Sequence, residues 1–391
     1  MTFIDIPASL AWPAQLCGFS IAATWIASLV TGNVSQVDRL WTFLPTIYTG
    51  YYAFLPWFKQ KQSFFLQPYT PKELGWNVAT HYSPRALLMF GLVFIWMWRL
   101  SYNTWRRGLF SLNDEDYRWA VLRSTVSPVL FQVTNLVFIA GIQNVLLLLL
   151  GLPTRTAALQ ADRELAPSDY ALAALALTLL AIEFTSDNQQ FAFHAYKHAY
   201  LAKKNGKVDA KEYDASEHWP GSRLQWKPED AERGFVTRGF WRYSRHPNFS
   251  CEQSFWWVIS LFPLLSPGTP HLPSDSDFPP KHTLVKAIFT PNLWKPLFDN
   301  LYVALKPTFI HVLPAIALSA LFYSSTLFTE GISAKKYPKA YRAYQKRVGM
   351  FAPISGTLYK VLVNRLFDSK QVRDETERLI WGQVSSVDKT E

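Results

Sequence analysis

Cysteine is almost absent from this chain: Cys17 and Cys251 are the only two in 391 residues, and both fall in or beside apolar runs. A disulfide framework is thereby excluded, and two free thiols in a reducing or membrane-buried setting are expected. Charge is scarce as well. Asp, Glu, Lys and Arg make up 17% of the residues, whereas a soluble domain carries about 25%. The sequence also lacks a Gly-rich nucleotide loop, a Walker sequence and a His-Glu-x-x-His helix, so a soluble-type Rossmann unit, a P-loop enzyme and a zinc peptidase are not supported. No nucleic-acid-binding module is present, and the basic residues alternate with apolar spans rather than forming one patch. The N-terminus has neither a basic n-region nor an obvious cleavage site, so the first apolar segment is expected to persist as a helix.

What the chain does have is apolar length. Hydrophobic residues make up 49% of it and aromatic residues 16%, with 16 Trp and a net charge of +10. About 20 apolar residues cross a bilayer as a helix. Seven segments qualify: 10–31, 40–58, 85–101, 128–151, 169–187, 251–267 and 307–329. The expected fold is therefore all-α, a polytopic membrane bundle of about seven transmembrane helices. One domain is expected over 1–362, with a Pro-, Ser- and Asp-rich luminal or re-entrant insertion at 267–306 and a polar tail at 363–391. Basic residues orient the bundle. With the N-terminus outside, segments 32–39, 99–127, 188–250 and 330–391 lie inside and carry 29 of the 39 Lys and Arg. The 188–250 loop and the C-terminus are thus expected in the cytoplasm.

The chemistry is concentrated at 239–252, where Gly239-Phe240-Trp241-Arg242-Tyr243-Ser244-Arg245-His246-Pro247-Asn248-Phe249 leads to Glu252 at the mouth of an apolar segment. Polar groups are costly near lipid and persist where they bind something polar. Arg242 and Arg245 offer guanidinium forks that match phosphate. His246 suits phosphate, ribose or acid chemistry, and Asn248 pairs with a carboxamide. The bland alternative is a basic cap whose side chains snorkel, which requires neither His-Pro-Asn nor a carboxylate. A second group lies at the end of the fifth span: Glu183, Asp187 and Gln190 fall on one helical face. They fit ribose hydroxyls or, alternatively, a polar helix end. His194 and His198 have metal-pair spacing but no third ligand, so no metal is expected. A third group runs from Tyr337 to Arg347, with Tyr341, Tyr344, Lys346 and Arg347 suited either to a nucleotide or to anionic lipid. Asp38-Arg39-Leu40-Trp41 and Glu115-Asp116-Tyr117-Arg118-Trp119 read as interface anchors.

Taken in order, these motifs resemble the steroid 5-alpha-reductase superfamily, and within it the branch defined by a steroid-reductase-like C-terminal domain. That branch carries an early Asp-Arg-Leu-Trp, a Glu-Asp-Tyr-Arg after the third span, an Asp-x-Gln after the fifth, an Arg-x-Ser-Arg-His-Pro-Asn run and a Tyr-x-x-Tyr-basic C-terminus. Counterparts run here from Asp38 to Pro353. The resemblance implies a membrane reductase with a cytoplasm-facing cavity for NADPH, acting on a carbon–carbon double bond of a lipid-like enone such as a steroid or sterol. It implies Asn248 near the nicotinamide carboxamide, Glu252 as the neighbouring acid and Asp187 with Gln190 near the cofactor. It further implies Arg242, Arg245, His246, Lys346 and Arg347 on phosphate and ribose, and Tyr341 and Tyr344 along the same cavity. Tyr102 and Tyr117 are candidate carbonyl-polarising donors. Phe249 stands where the branch has Tyr, and Ser250-Cys251 replaces Phe-Gly.

Two other readings compete. A membrane methyltransferase using S-adenosylmethionine shares the Arg-His-Pro step and a nearby Glu. A non-catalytic lipid-binding protein would keep the fold without the cofactor. The expected partners are a lipid-like small molecule and membrane lipids, with no obligate protein partner. The expected location is the endoplasmic reticulum membrane.

Overall fold

The computed structural model describes residues 6–160, 164–206, 211–267, 269 and 272–382, among which there are helices and turns and no strand. The main helices are α1 (Ala8–Thr31), α2 (Leu44–Ala53), α3 (Pro84–Arg106), α4 (Pro128–Leu159), α5 (Pro167–Lys204), α6 (Pro247–Leu264) and α7 (Trp294–Lys336). They are followed by α8 (Pro338–Arg347), α9 (Tyr359–Phe367) and α10 (Lys370–Trp381). Five of them, α1, α3, α4, α5 and α7, are long and apolar enough to cross a membrane.

The segment expected as a span at 40–58 takes a different form. Pro45 opens α2 and the helix stops at Ala53, giving ten residues with eight of them buried. At about 1.5 Å per residue it covers about half of a hydrocarbon core roughly 30 Å thick. Pro56 follows within a short 3-10 turn, Leu55–Trp57. The 251–267 segment corresponds to α6, 18 residues with Pro263 inside. The insertion expected at 267–306 is shorter than its composition suggests, because α7 begins at Trp294 and continues unbroken through Pro307 and Pro314. Prolines inside membrane helices are tolerated where neighbouring groups take up the freed backbone. Residues 363–382, which by composition belong to a polar tail, form the end of α9 and all of α10, whose Ile380 is fully buried.

The chain divides into two compact units, residues 1–177 with 256–319 and residues 178–255 with 320–391. In the first, α1 presents Ser20, Thr24 and Ser28 as a buried polar seam. Asn144 Nδ2 donates to Thr24 Oγ1 at 3.2 Å, and Asn135 Nδ2 to Ser28 Oγ at 2.8 Å. Hydrogen bonds between small polar residues are an effective means of holding membrane helices together. A π-type turn at Asn135–Ile142 carries Asn135. Gly151 lies against α2: a Cβ there would sit 2.6 Å from Cβ of Tyr48.

The two acid–base motifs of this unit meet each other. Trp119 Nε1 donates to Asp38 Oδ2 at 3.0 Å, and Arg39 donates to the carbonyls of Ser111 and Asp114 at 2.7 and 2.8 Å. Glu115 accepts from the Val34 amide at 2.9 Å and pairs with Arg123. Burial pushes the Asp38 carboxyl above its ordinary pKa. These residues clamp the loop after α1 to the helix Tyr117–Thr125.

A fully buried ion pair ties α3 to the start of α5. Arg85 Nε and Nη2 donate to Asp169 Oδ1 and Oδ2 at 2.9 and 3.0 Å, and Nη2 also reaches the Glu164 carbonyl at 2.8 Å. Removing one partner leaves an uncompensated buried charge. Asp169→Ala is therefore expected to cost about 3–5 kcal/mol in detergent unfolding. Arg85→Met combined with Asp169→Leu should recover most of that loss; a double variant as unstable as the single would contradict it.

Candidate functional site

The second unit is organised by the 239–248 turn. Gly239 has φ of +64°, and a Cβ there would collide with the Gln189 side chain. That closeness is used: Gln189 Oε1 accepts from the Phe240 amide at 2.9 Å, while its Nε2 donates to the Gly221 carbonyl at 3.1 Å. Trp241 Nε1 donates to the Ser186 carbonyl at 3.2 Å. The turn is thus stapled to α5 on one side.

On the other side it is bonded to the segment after α8. The Arg245 and His246 amides donate to the carbonyls of Gly349 and Met350 at 2.9 and 3.0 Å, and Ser244 Oγ donates to Met350 O at 3.0 Å. Gly349 permits this approach, since a Cβ there would lie 2.7 Å from the Thr357 nitrogen. Thr357 Oγ1 accepts from the Gly349 amide at 2.7 Å and donates to the Tyr243 carbonyl at 2.6 Å. Tyr344 donates its hydroxyl to the Trp241 carbonyl, and burial raises its pKa well above the ordinary value. Tyr341, Tyr344 and Phe235 pack ring against ring, with centroids 5.0–6.1 Å apart.

At the centre lies Glu330, on α7 and buried. Arg245 Nε and Nη2 donate to its two oxygens at 2.6 and 2.9 Å. His246 Nε2 lies 2.9 Å from Oε1, and Gln345 Nε2 donates to Oε2 at 2.9 Å. Arg245 Nη1 donates to the Gln345 carbonyl at 3.3 Å and to that of Val348. The Arg245 fork, expected on a ligand phosphate, is thus committed to a carboxylate and two carbonyls of the protein itself. Burial lowers the His246 pKa, with the Glu330 contact opposing that shift.

One turn along α6 the polar groups change character. Asn248 Nδ2 donates to Asp187 Oδ1 at 3.0 Å. Asn248 Oδ1 is buried and accepts no hydrogen bond among the described residues. Glu183 and Asp187 are buried a turn apart on α5, and Glu252 is buried a turn beyond Asn248. Asp187 and Asn248, far apart in sequence, are therefore in direct contact. Gln190 is only partly buried; it is the adjacent Gln189 that holds the turn. Phe249 stacks on His246 with centroids 5.6 Å apart and meets Phe322 edge-on at 5.0 Å.

Two of the remaining candidate cations lie over the Trp381 ring. The Arg242 and Arg347 guanidinium carbons lie 5.0 and 5.5 Å from its ring centroid. Lys346 pairs with Asp368 at 2.8 Å, and Arg347 with Glu377 at 3.5 Å. Tyr102 and Tyr117 belong to the first unit, where they are 45% and 51% exposed. Cys17 and Cys251 are buried free thiols. The His194 and His198 rings stack on each other with centroids 6.2 Å apart, and no group of three metal-ligating side chains occurs among the described residues.

Glu330, Gln345 and Gln189 are the residues that motif reasoning misses. A signal for Glu330 is present: it is the only acidic residue between Asp299 and Asp368, and it sits in an apolar helix. Glu330→Ala is expected to strand Arg245 and to cost about 3–5 kcal/mol in unfolding measurements; an unchanged midpoint would refute that role. The pH dependence has a definite sign. The folded state holds the His246 pKa below its ordinary value, so as pH falls the unfolded chain takes up the proton first. The associated stability is complete above about pH 6.5 and is lost progressively below it. His246→Gln should flatten that slope, and an equally steep slope in the variant would count against it.

Comparison with known proteins places the chain in a family. A family model described as a protein of unknown function, DUF1295, matches residues 24–268, well over half of the chain. An uncharacterized protein of Schizosaccharomyces pombe is 29% identical over 330 residues, covering 84% of this chain and 75% of the relative. No solved structure matches the chain. The family match takes in the Asp38 and Glu115 motifs, Asp187 and the 239–252 turn, and it ends before Glu330; on that extent the chain belongs to the DUF1295 family.

Proposed function

We propose that this protein is an NADPH-dependent membrane reductase of a carbon–carbon double bond in a lipid-like enone, related to the steroid 5-alpha-reductase superfamily. The observation that carries the reading is the Asp187–Asn248 contact, with the oxygen of the Asn248 amide buried and unbonded. A buried acceptor without a partner is costly and calls for a donor. A nicotinamide carboxamide has an N–H group of the right kind, so the residues present fit that end of the cofactor.

In this reading Asp187 fixes the orientation of the Asn248 amide by accepting from Nδ2. Glu252 is the neighbouring acid. Arg242, Arg347 and Lys346 hold phosphate, and Tyr341 and Tyr344 line the same cavity. Arg245 acts at one remove: by locking onto Glu330 it sets the path of His246 and Asn248 at the start of α6. Bound NADPH would supply the hydride that adds to the β-carbon of the enone, with a proton from solvent completing the saturation. The substrate enters from the bilayer. A cytoplasmic 188–250 loop and C-terminus go with this proposal and rest on the loop charges; residence in the endoplasmic reticulum rests on the resemblance to lipid reductases.

The test is a titration of detergent-purified protein with NADPH, NADH and S-adenosylmethionine side by side. Saturable NADPH binding is expected, weakened about tenfold or more in Asn248→Ala and Asp187→Ala, since each removes a hydrogen bond near a charged group. The unfolding midpoint reports whether each variant is folded. Selective S-adenosylmethionine binding would move the protein to the methyltransferases, and absence of any binding by folded protein would overturn the enzyme reading.

A further inference from the structure

We propose that the cleft between α8, α9 and α10 binds the phosphate headgroup of an anionic membrane lipid, with the exposed apolar face of α9 lying in the acyl layer beside it. This goes beyond the reductase reading and does not depend on it.

The cleft has a volume of about 180 Å³ and is lined by Arg347, Arg365, Arg373 and Thr376, with Asp368 and Glu377 as its carboxylates. Both carboxylates are already engaged, Asp368 by Lys346 at 2.8 Å and Glu377 by Arg347 at 3.5 Å. Arg373 Nη1 donates to the Asp368 carbonyl at 2.5 Å. Arg365 is exposed and has no hydrogen bond or ion pair among the described residues. Three guanidinium groups therefore line a cleft whose two carboxylates are already paired, and one guanidinium fork is left open. A phosphate oxygen pair matches that fork; the Thr376 hydroxyl in the lining donates to the Val372 carbonyl at 2.7 Å.

What marks the ligand as a lipid is the other side of α9. Leu358, Tyr359, Leu362, Leu366 and Phe367 are between 50% and 82% exposed. Helical periodicity puts Val361, Asn364, Arg365 and Asp368 on the cleft face and Leu358, Leu362, Tyr359 and Leu366 on the next face round. Arg365 stands on the border between them. A soluble anion would account for the cations and leave the apolar face unexplained. A helix with one polar and one apolar face is the arrangement that lies in a bilayer interface. Basic residues beside such a helix draw anionic lipids.

The experiment uses full-length protein in detergent, titrated with dioctanoyl phosphatidic acid, dioctanoyl phosphatidylcholine, inorganic phosphate and adenosine bisphosphate. Phosphatidic acid is expected to bind saturably and in preference to phosphatidylcholine. Arg365→Ala should weaken it about tenfold, the loss expected for one charged hydrogen-bonding group, and Leu362→Ser with Leu366→Ser should also weaken it. Arg365 is exposed, so its replacement should leave the unfolding midpoint and NADPH affinity unchanged; the failure of this site and of the cofactor reading are then separable. Equal binding of the two lipids, or phosphatidic acid affinity unchanged in Arg365→Ala, overturns the proposal. If phosphate or adenosine bisphosphate binding depends on Arg365 while the double Ser variant binds phosphatidic acid normally, the ligand is a soluble phosphate and not a lipid.

Discussion

The second unit depends on one buried carboxylate. Glu330 receives both arms of Arg245, the His246 ring and the Gln345 amide, and the Arg245 and His246 partners reach it from more than 80 residues away in the sequence. A buried charge is tolerable only when its partners are complete, and breaking such a set costs more than the set contributes in net stability. Its value is therefore specificity of placement. With Arg245 fixed, the turn from Gly239 to Pro247 has little freedom, and Asn248 enters α6 facing Asp187. Gly239 and Gly349, where an added Cβ would collide with a neighbour, lie where that turn meets α5 and where it meets the chain after α8.

The same logic runs through the first unit with different groups. Asp38, Trp119, Arg39 and Glu115 satisfy one another and the loop carbonyls around them. Their motif-like appearance in the sequence thus has a structural cause, the docking of two non-helical segments whose backbone groups need partners. The Arg85–Asp169 pair does the same for the start of α5. Charged residues are scarce in this chain, and many of those inside it are spent on holding it together.

Much of the architecture is legible in the sequence. Long apolar runs reveal long helices whatever their neighbours, and the two motifs that carry Asp187 and Asn248 both stand out. Where legibility fails, the reason is physical. The 40–58 run is apolar enough for a span, yet Pro45, Pro56 and a succession of Tyr and Thr produce a short buried helix. Residues 363–382 look polar in bulk, but Ile380 and Trp381 anchor them to Thr237 and to the Arg242 and Arg347 side chains. A pair of anchors is invisible to composition. Arg245 looks like a phosphate ligand in the sequence because its partner, Glu330, lies 85 residues away and carries no local motif.

Arg245 shapes the site through Glu330. A double-mutant cycle on NADPH affinity, with Arg245→Met, Glu330→Gln and the two combined, tests this most directly. If the pair acts as a unit, either single change weakens binding about as much as both together, leaving a large coupling energy. If Arg245 instead holds the cofactor itself, Glu330→Gln has little effect and the two losses add, which would contradict a positioning role for the pair.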